Sequence, residues 1–247
     1  MKKRFIFNKY FNESYLKSFF AIRFSKKLYK IFKKFNFNLL LLTNHHKEIL
    51  INKNFSEQRL FISPNFISNK PKPNLNSKNQ FLYAGRISKE KGVEELIEAF
   101  ISLDLSDFKL KILGTGPDLK RLKSKYNLKN VEFSGFRENN EVIREIQKSF
   151  AVISATKLYE GQPTLLCEAS LNSIPIIFPK SGGISEFLPK NYNFLFEQNN
   201  YNDLQSKMLN IISSDNKKLG KENKEFINSV LNKEKLFYIF DEVTKDK

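Results

Sequence analysis

From residue 81 onward, short apolar runs alternate with longer segments whose apolar positions recur at helical spacing. Phe81–Ala84, Lys109–Leu113, Val131–Ser134, Ala151–Ser154 and Ile176–Phe178 read as strands, each a brief apolar run bounded by polar or turn residues. Gly92–Leu103, Asp118–Tyr126, Asn139–Lys148, Pro163–Asn172 and Tyr201–Ser213 read as helices, and Ser185–Leu188 as a helical turn. This alternation predicts an α/β fold, a Rossmann-like parallel sheet covered by helices on both faces. Upstream, Leu39–Thr43 and Leu60–Ser63 read as strands around a short helix near Lys47–Lys53, a partial N-terminal α/β segment. Asn69–Asn79, with Pro71 and Pro73 among Asn, Lys and Ser, reads as a linker. Lys217–Lys247 reads as one or two helices. The expected division is an N-terminal segment over 1–70, a linker over 71–79, a Rossmann-like domain over 80–214 and a helical tail over 215–247.

Composition narrows the classes. With 247 residues, 40% hydrophobic and 28% charged, the chain can bury a core and is not disordered by composition. One cysteine excludes a disulfide scaffold and a cysteine zinc cluster and suits a reducing compartment. No apolar run reaches the ~18–20 residues that span a bilayer. The basic start Met1-Lys2-Lys3-Arg4 has no apolar core behind it, so the expected location is cytoplasmic, free or peripheral on the inner membrane face.

The charge is uneven. Of the net +16, residues 1–38 hold +10, with eleven Lys/Arg and only Glu13 opposing them. The same stretch carries twelve aromatics, among them Phe5, Phe7 and Tyr10. Tyr15, Phe19, Ile22, Tyr29, Phe32 and Phe35 recur at spacings compatible with one helix face. A basic, aromatic amphipathic helix suits an anionic membrane surface or packing on the domain; nucleic acid is the less favoured partner.

Candidate chemistry lies in loops that follow strands. Gly85-Arg86-Ile87-Ser88-Lys89-Glu90-Lys91-Gly92 joins a strand to a helix; Gly85 allows close approach, Arg86 can fork onto phosphate oxygens and Lys91 adds a point charge. Gly114-Thr115-Gly116-Pro117 lacks the full spacing of a dinucleotide fingerprint and reads as a tight turn. In Glu160-Gly161-Gln162-Pro163-Thr164-Leu165-Leu166-Cys167-Glu168, free amides near Thr164 and Leu165 at a helix N-terminus can meet an anion. Glu160 and Glu168 can accept hydrogen bonds from sugar hydroxyls. A glycosidase acid/base pair is the rival reading, disfavoured because eight helical residues span roughly 12 Å. Gly182 and Gly183, after the next strand, expose backbone amides. His45 and His46 read as surface or capping residues.

Taken in order, Gly85-Arg86 with Lys91-Gly92, Gly114-x-Gly116-Pro117, Phe133-x-Gly135, Glu160-Gly161 with Glu168-Ala169, Pro175, and Gly182-Gly183 with Glu186 resemble the donor-binding half of retaining glycosyltransferases of family 4. Those enzymes have the two-Rossmann GT-B fold. The resemblance implies catalytic roles for Arg86 and Lys91 on the donor diphosphate and for Glu160 on the donor sugar. It implies that Glu168 binds the ribose, that Phe136 and Arg137 lie near the nucleobase, and that Gly85, Gly114, Gly161, Thr164, Leu165, Gly182 and Gly183 complete the nucleotide-sugar site. It further implies a glycan or lipid-linked acceptor and no cofactor or metal, since Arg86 and Lys91 supply the positive charge. Departures are Ser173 where the family has Gly and Thr156-Lys157 where it often has Pro-Ser, together with a short N-terminal part lacking the family's catalytic His. Two alternatives therefore stand beside the enzyme: a nucleotide-sugar-binding module whose acceptor domain comes from a partner chain, and a basic membrane-surface scaffold.

Overall fold

The computed structural model describes residues 14–35, 37–67 and 79–245. The basic start, Phe5, Phe7 and Tyr10, and all of the expected linker but Asn79 lie outside the described residues. Helix α1 (Tyr15–Phe35) leads to β1 (Leu39–Leu41), α2 (Asn44–Ile51) and β2 (Leu60–Ile62), with β1 and β2 paired in parallel. Then follow β3 (Gln80–Ala84), α3 (Val93–Ile101), β4 (Lys109–Leu113), α4 (Leu119–Lys125), β5 (Val131–Gly135), α5 (Asn139–Lys148), β6 (Ala151–Ile153), α6 (Thr164–Leu171), β7 (Ile176–Lys180), β8 (Leu195–Glu197), α7 (Tyr201–Ile212), α8 (Asn216–Val230) and α9 (Lys233–Thr244).

Strands β3–β8 form one parallel sheet in the order β5-β4-β3-β6-β7-β8. Side chains alternate across it. Phe81, Tyr83, Ala151, Ile153 and Ile177 enter one core with Leu96 and Phe100 of α3, Leu122 of α4 and Leu204 and Met208 of α7. Leu82, Val152, Ile176 and Phe178 enter the other with Ile146 of α5, Leu166 of α6 and Ile227 of α8. Burial on both faces explains why the strands read as near-continuous apolar runs. The tail folds as two helices, and Asn38 Nδ2 donates to the Val243 carbonyl at 3.0 Å, so α9 returns to the β1–β2 unit. Strand β8 was not expected: Leu195–Glu197 is a three-residue edge strand pairing only with β7. No helix among the described residues is long and apolar enough to cross a membrane.

An ion-pair cluster ties α3 to α4. Arg121 donates to both Glu94 oxygens, at 2.9 and 2.7 Å, and Lys125 Nζ donates to Glu94 Oε1 at 2.8 Å. These hydrogen bonds, that of Arg121 foremost, hold the Glu94 carboxyl at about 2 against an ordinary 4.5. A depressed carboxylate stabilises fully above its ordinary value and loses that contribution as pH falls through the depressed one. Urea midpoints measured between about pH 5 and pH 2 should fall less steeply for Glu94→Gln than for the parent, by no more than about 1 kcal/mol because the cluster is solvent-exposed.

Candidate functional site

The sheet order reverses between β3 and β6, and in open α/β sheets ligands bind beyond the C-terminal strand ends at such a point. The loops after β3 and β6 flank this crevice. Their closeness is enforced by glycines. Gly92 sits at φ +65°, and a Cβ there would lie 2.0 Å from the Ala155 carbonyl oxygen. Gly92→Ala should therefore force the two loops apart, costing about 2 kcal/mol or more and lowering Tm by about 5–10 °C in a thermal melt. Beside them, the loops after β3, β4 and β5 interlock: Gly85 N donates to Leu113 O at 3.0 Å, Gly114 N to Gly135 O at 2.8 Å and Ile87 N to Thr115 O at 2.8 Å. A Cβ on Gly114 would meet the Gly85 carbonyl oxygen at 1.9 Å. Gly114 and Gly116 serve this packing.

Two adjoining hollows fill the crevice. A cavity of about 560 Å³ is lined by Gly85, Arg86, Gly114, Phe136, Arg137, Asn139, Thr164, Leu165 and Glu168. A recess of about 280 Å³ adds Lys91, Thr156, Glu160 and Gln162. Gly85, Arg86, Thr164 and Leu165 line both, so the hollows form one continuous cleft. Arg86, Lys91, Arg137, Glu160 and Glu168, all singled out from the sequence, thus line one cleft. Within it Arg86 is exposed, and among the described residues no carboxylate pairs with its guanidinium. Tyr83 beneath the loop donates to the Arg86 carbonyl at 2.8 Å. Burial, with the charges of Glu160 and Glu90 behind it, pushes the Tyr83 phenol well above its ordinary range, so it stays a donor.

Lys91 Nζ donates to Glu160 Oε1 at 2.6 Å, and the Thr156 hydroxyl donates to the same oxygen at 3.1 Å. Glu168 lies on the buried side of α6, whose N-terminus no side chain caps. Burial raises the Glu168 carboxyl, and a hydrogen bond from Asn139 Nδ2 at 2.9 Å opposes the rise. Cys167 beside it is buried, its thiol pushed up to about 12 by burial, and it is inert packing.

Gly161, Gly182 and Gly183 stand at the margin, against the N-terminal unit. A Cβ on Gly161 would meet the His46 ring at 2.6 Å, and one on Gly183 the Thr43 side chain at 2.4 Å. The free amide read for Gly183 is instead committed: it donates to Glu160 O at 2.9 Å, because this bond closes the Glu160 loop onto the next one. Gly182 (φ +57°) packs its Cα side against the same carbonyl. Glu186 accepts from the Asn44 and His45 amides at 2.7 and 2.8 Å, meeting the α2 N-terminus. Gln162 and Asn65 exchange hydrogen bonds of 2.6 and 2.8 Å. His45 stacks on Tyr159, ring centroids 6.5 Å apart, and His46 N donates to the Thr43 N-cap. Asn139 and Tyr83 were not singled out from the sequence, and Thr156 only as a departure from the family pattern; Asn139 reaches Glu168 across 29 residues, whereas Tyr83 and Thr156 bond groups three and four residues on.

The fold is that of the GT-B glycosyltransferases. Residues 65–229 match the glycosyl transferases group 1 family, and the chain belongs to it. It is 31% identical over 198 residues to an uncharacterized glycosyltransferase of Methanocaldococcus jannaschii, covering 74% of this chain and 55% of that protein. It is 26% identical to the poly(ribitol-phosphate) alpha-N-acetylglucosaminyltransferase of Staphylococcus aureus, over 72% of this chain and 37% of that one. A variant of S. aureus TarM, crystallised with fondaparinux, alpha-GlcNAc-glycerol and UDP, superposes with a TM-score of 0.73 at 22% identity, covering 84% of this chain and 43% of that one. The chain spans about half the length of the first curated relative and less of the second.

Proposed function

We propose that the chain binds a nucleotide-activated sugar and, in the whole protein, takes part in transferring that sugar to a glycan or lipid-linked acceptor with retention at the anomeric carbon. The observation that carries this reading is the convergence of Arg86, Lys91, Glu160 and Glu168 on one cleft at the sheet's switch point. Arg86 and Lys91 bind the diphosphate and neutralise its charge as the bond to the anomeric carbon breaks. Glu160, fixed between Lys91 and Thr156, accepts from hydroxyls of the donor sugar. Glu168, with Asn139, holds the ribose, and Phe136 and Arg137 flank the base. UDP in the TarM complex supports uridine as the base to try first. In this reading the two cations replace a metal, and the protein works at the cytoplasmic side of the membrane.

A second reading is a donor-binding module, since every residue that lines the cleft lies between Tyr83 and Phe178. Calorimetric titration with UDP and a panel of nucleotide-sugars, followed by assays of sugar transfer and donor hydrolysis with and without EDTA, tests both. Donor binding with EDTA-insensitive transfer or hydrolysis supports the enzyme. Binding without either supports the module. Absence of nucleotide binding refutes both.

A further inference from the structure

We propose that the outward face of α1 is a docking surface for an anionic lipid bilayer. Neither hydrophobic core contains a residue of α1. The helix meets the body through Tyr29, whose ring lies 5.8 Å from that of Phe55 and whose hydroxyl receives Lys53 Nζ at 3.1 Å. The face turned away carries two adjacent stripes. Phe20, Phe24, Ile31 and Phe35, at i, i+4, i+11 and i+15, make an apolar one that Leu16 extends. Leu16, Phe20, Phe24 and Phe35 are 67%, 60%, 62% and 59% exposed. Beside it Arg23, Lys27, Lys30 and Lys34, at i, i+4, i+7 and i+11, make a basic one.

The helix has no Asp or Glu, and among the described residues none of its Lys or Arg pairs with a carboxylate. Arg23 Cζ lies 5.7 Å from the Phe19 ring and Lys34 Nζ 5.5 Å from the Phe35 ring, so cations and rings share one surface.

Charge complementarity selects the occupant. A protein cover would remove the rings from water but leave the unpaired cations without anions. A nucleic acid would take the cations and leave the exposed Leu16, Phe20, Phe24 and Phe35 wet. An anionic bilayer satisfies both, phosphates meeting the basic stripe and the interface taking the rings. The placement is useful as well. The α2 N-terminus meets Glu186 at the margin of the cleft, and its other end leads to Phe55 and α1. Eight helical residues, roughly 12 Å, separate the two contacts, so α1 lies one short helix away from the Glu186 contact. The proposal does not depend on the donor reading.

The test is co-sedimentation of the full chain with phosphatidylcholine vesicles, with and without phosphatidylglycerol, at about 0.1 M and about 0.5 M salt. The expected result is binding to the phosphatidylglycerol vesicles alone, weakened by salt. Replacing Arg23, Lys27, Lys30 and Lys34 together with Ala should cut partitioning at least roughly a hundredfold. Phe20→Ser with Phe24→Ser should cut it roughly tenfold or more. Circular dichroism should be unchanged in both variants, which separates lost docking from lost folding. Equal binding to neutral vesicles, or none to either, overturns the proposal. So does a parent that binds RNA but not vesicles, or that self-associates through this face while leaving vesicles unbound.

Discussion

Arg86→Ala should bind UDP on the order of a hundredfold more weakly than the parent, about 3 kcal/mol, while binding uridine alone equally well. The argument rests on the guanidinium's surroundings. Arg86 lines both parts of the cleft, and among the described residues it is in no ion pair, so removing it breaks no salt bridge and only takes one of the neighbouring charges from Glu90. The loss then belongs mainly to the ligand's phosphates, which uridine lacks. Arg86→Lys should fall between, because an ammonium keeps the charge but not the fork that grips two oxygens. Lys91→Ala is a different experiment. It also leaves Glu160 with only the Thr156 hydroxyl as partner and turns an unneutralised carboxylate toward the diphosphate. Its affinity loss should therefore be relieved in part by a second change, Glu160→Gln. Calorimetry on the four proteins of that cycle measures the coupling. A uridine affinity that falls as far as the UDP affinity in Arg86→Ala would show that the residue shapes the fold rather than holding phosphate.

The second large effect is at Glu168. The parent should prefer UDP to its 2′,3′-dideoxy analogue by about tenfold to a hundredfold, and Glu168→Ala should bind both alike. Only the ionised carboxylate is acceptor-only and free to take two sugar hydroxyls. Burial raises the Glu168 carboxyl, so UDP affinity should fall on the acid side earlier than an exposed glutamate would make it fall. Asn139→Leu removes the amide that opposes the rise and should move this fall to higher pH. The stability sign is the reverse of that at Glu94. A raised carboxyl costs stability above its folded-state value, and the cost disappears as pH falls through it. Glu168 thus does not contribute to acid unfolding, and its pH signature should appear in nucleotide binding.

Most of the fold was legible because strands buried on both faces write themselves as unbroken apolar runs, and because glycines punctuate the turns that follow them. Lys109–Leu113 and Asn139–Lys148 have the same bounds in sequence and structure. Leu195–Glu197 was missed because three residues between Asn193 and Asn199 carry no periodicity, and only pairing with β7 makes them a strand. In α1 the expected single face over Tyr15, Phe19, Ile22, Tyr29, Phe32 and Phe35 divides. Ile22 and Tyr29 turn toward the body, whereas Phe19 and Phe35 are exposed, since steps of three, four and seven drift around the helix. The charged members of the cleft were readable from strand-then-loop positions. Asn139 was not, because an amide 29 residues from Glu168 acquires meaning only from a tertiary hydrogen bond, and the Thr156 hydroxyl, four residues before Glu160, gains its role only from the loop's own conformation. Gly183 shows the opposite limit: a glycine that reads as an open amide has that amide taken by its neighbour's carbonyl.

A crystal structure of the chain grown with UDP bears most directly on the convergence of these loops. The diphosphate should lie within hydrogen-bonding distance of Arg86 and Lys91, with the ribose hydroxyls on Glu168 and the base beside Phe136. A nucleotide seated elsewhere, or one in the cleft whose phosphates touch neither cation, would contradict the assignment.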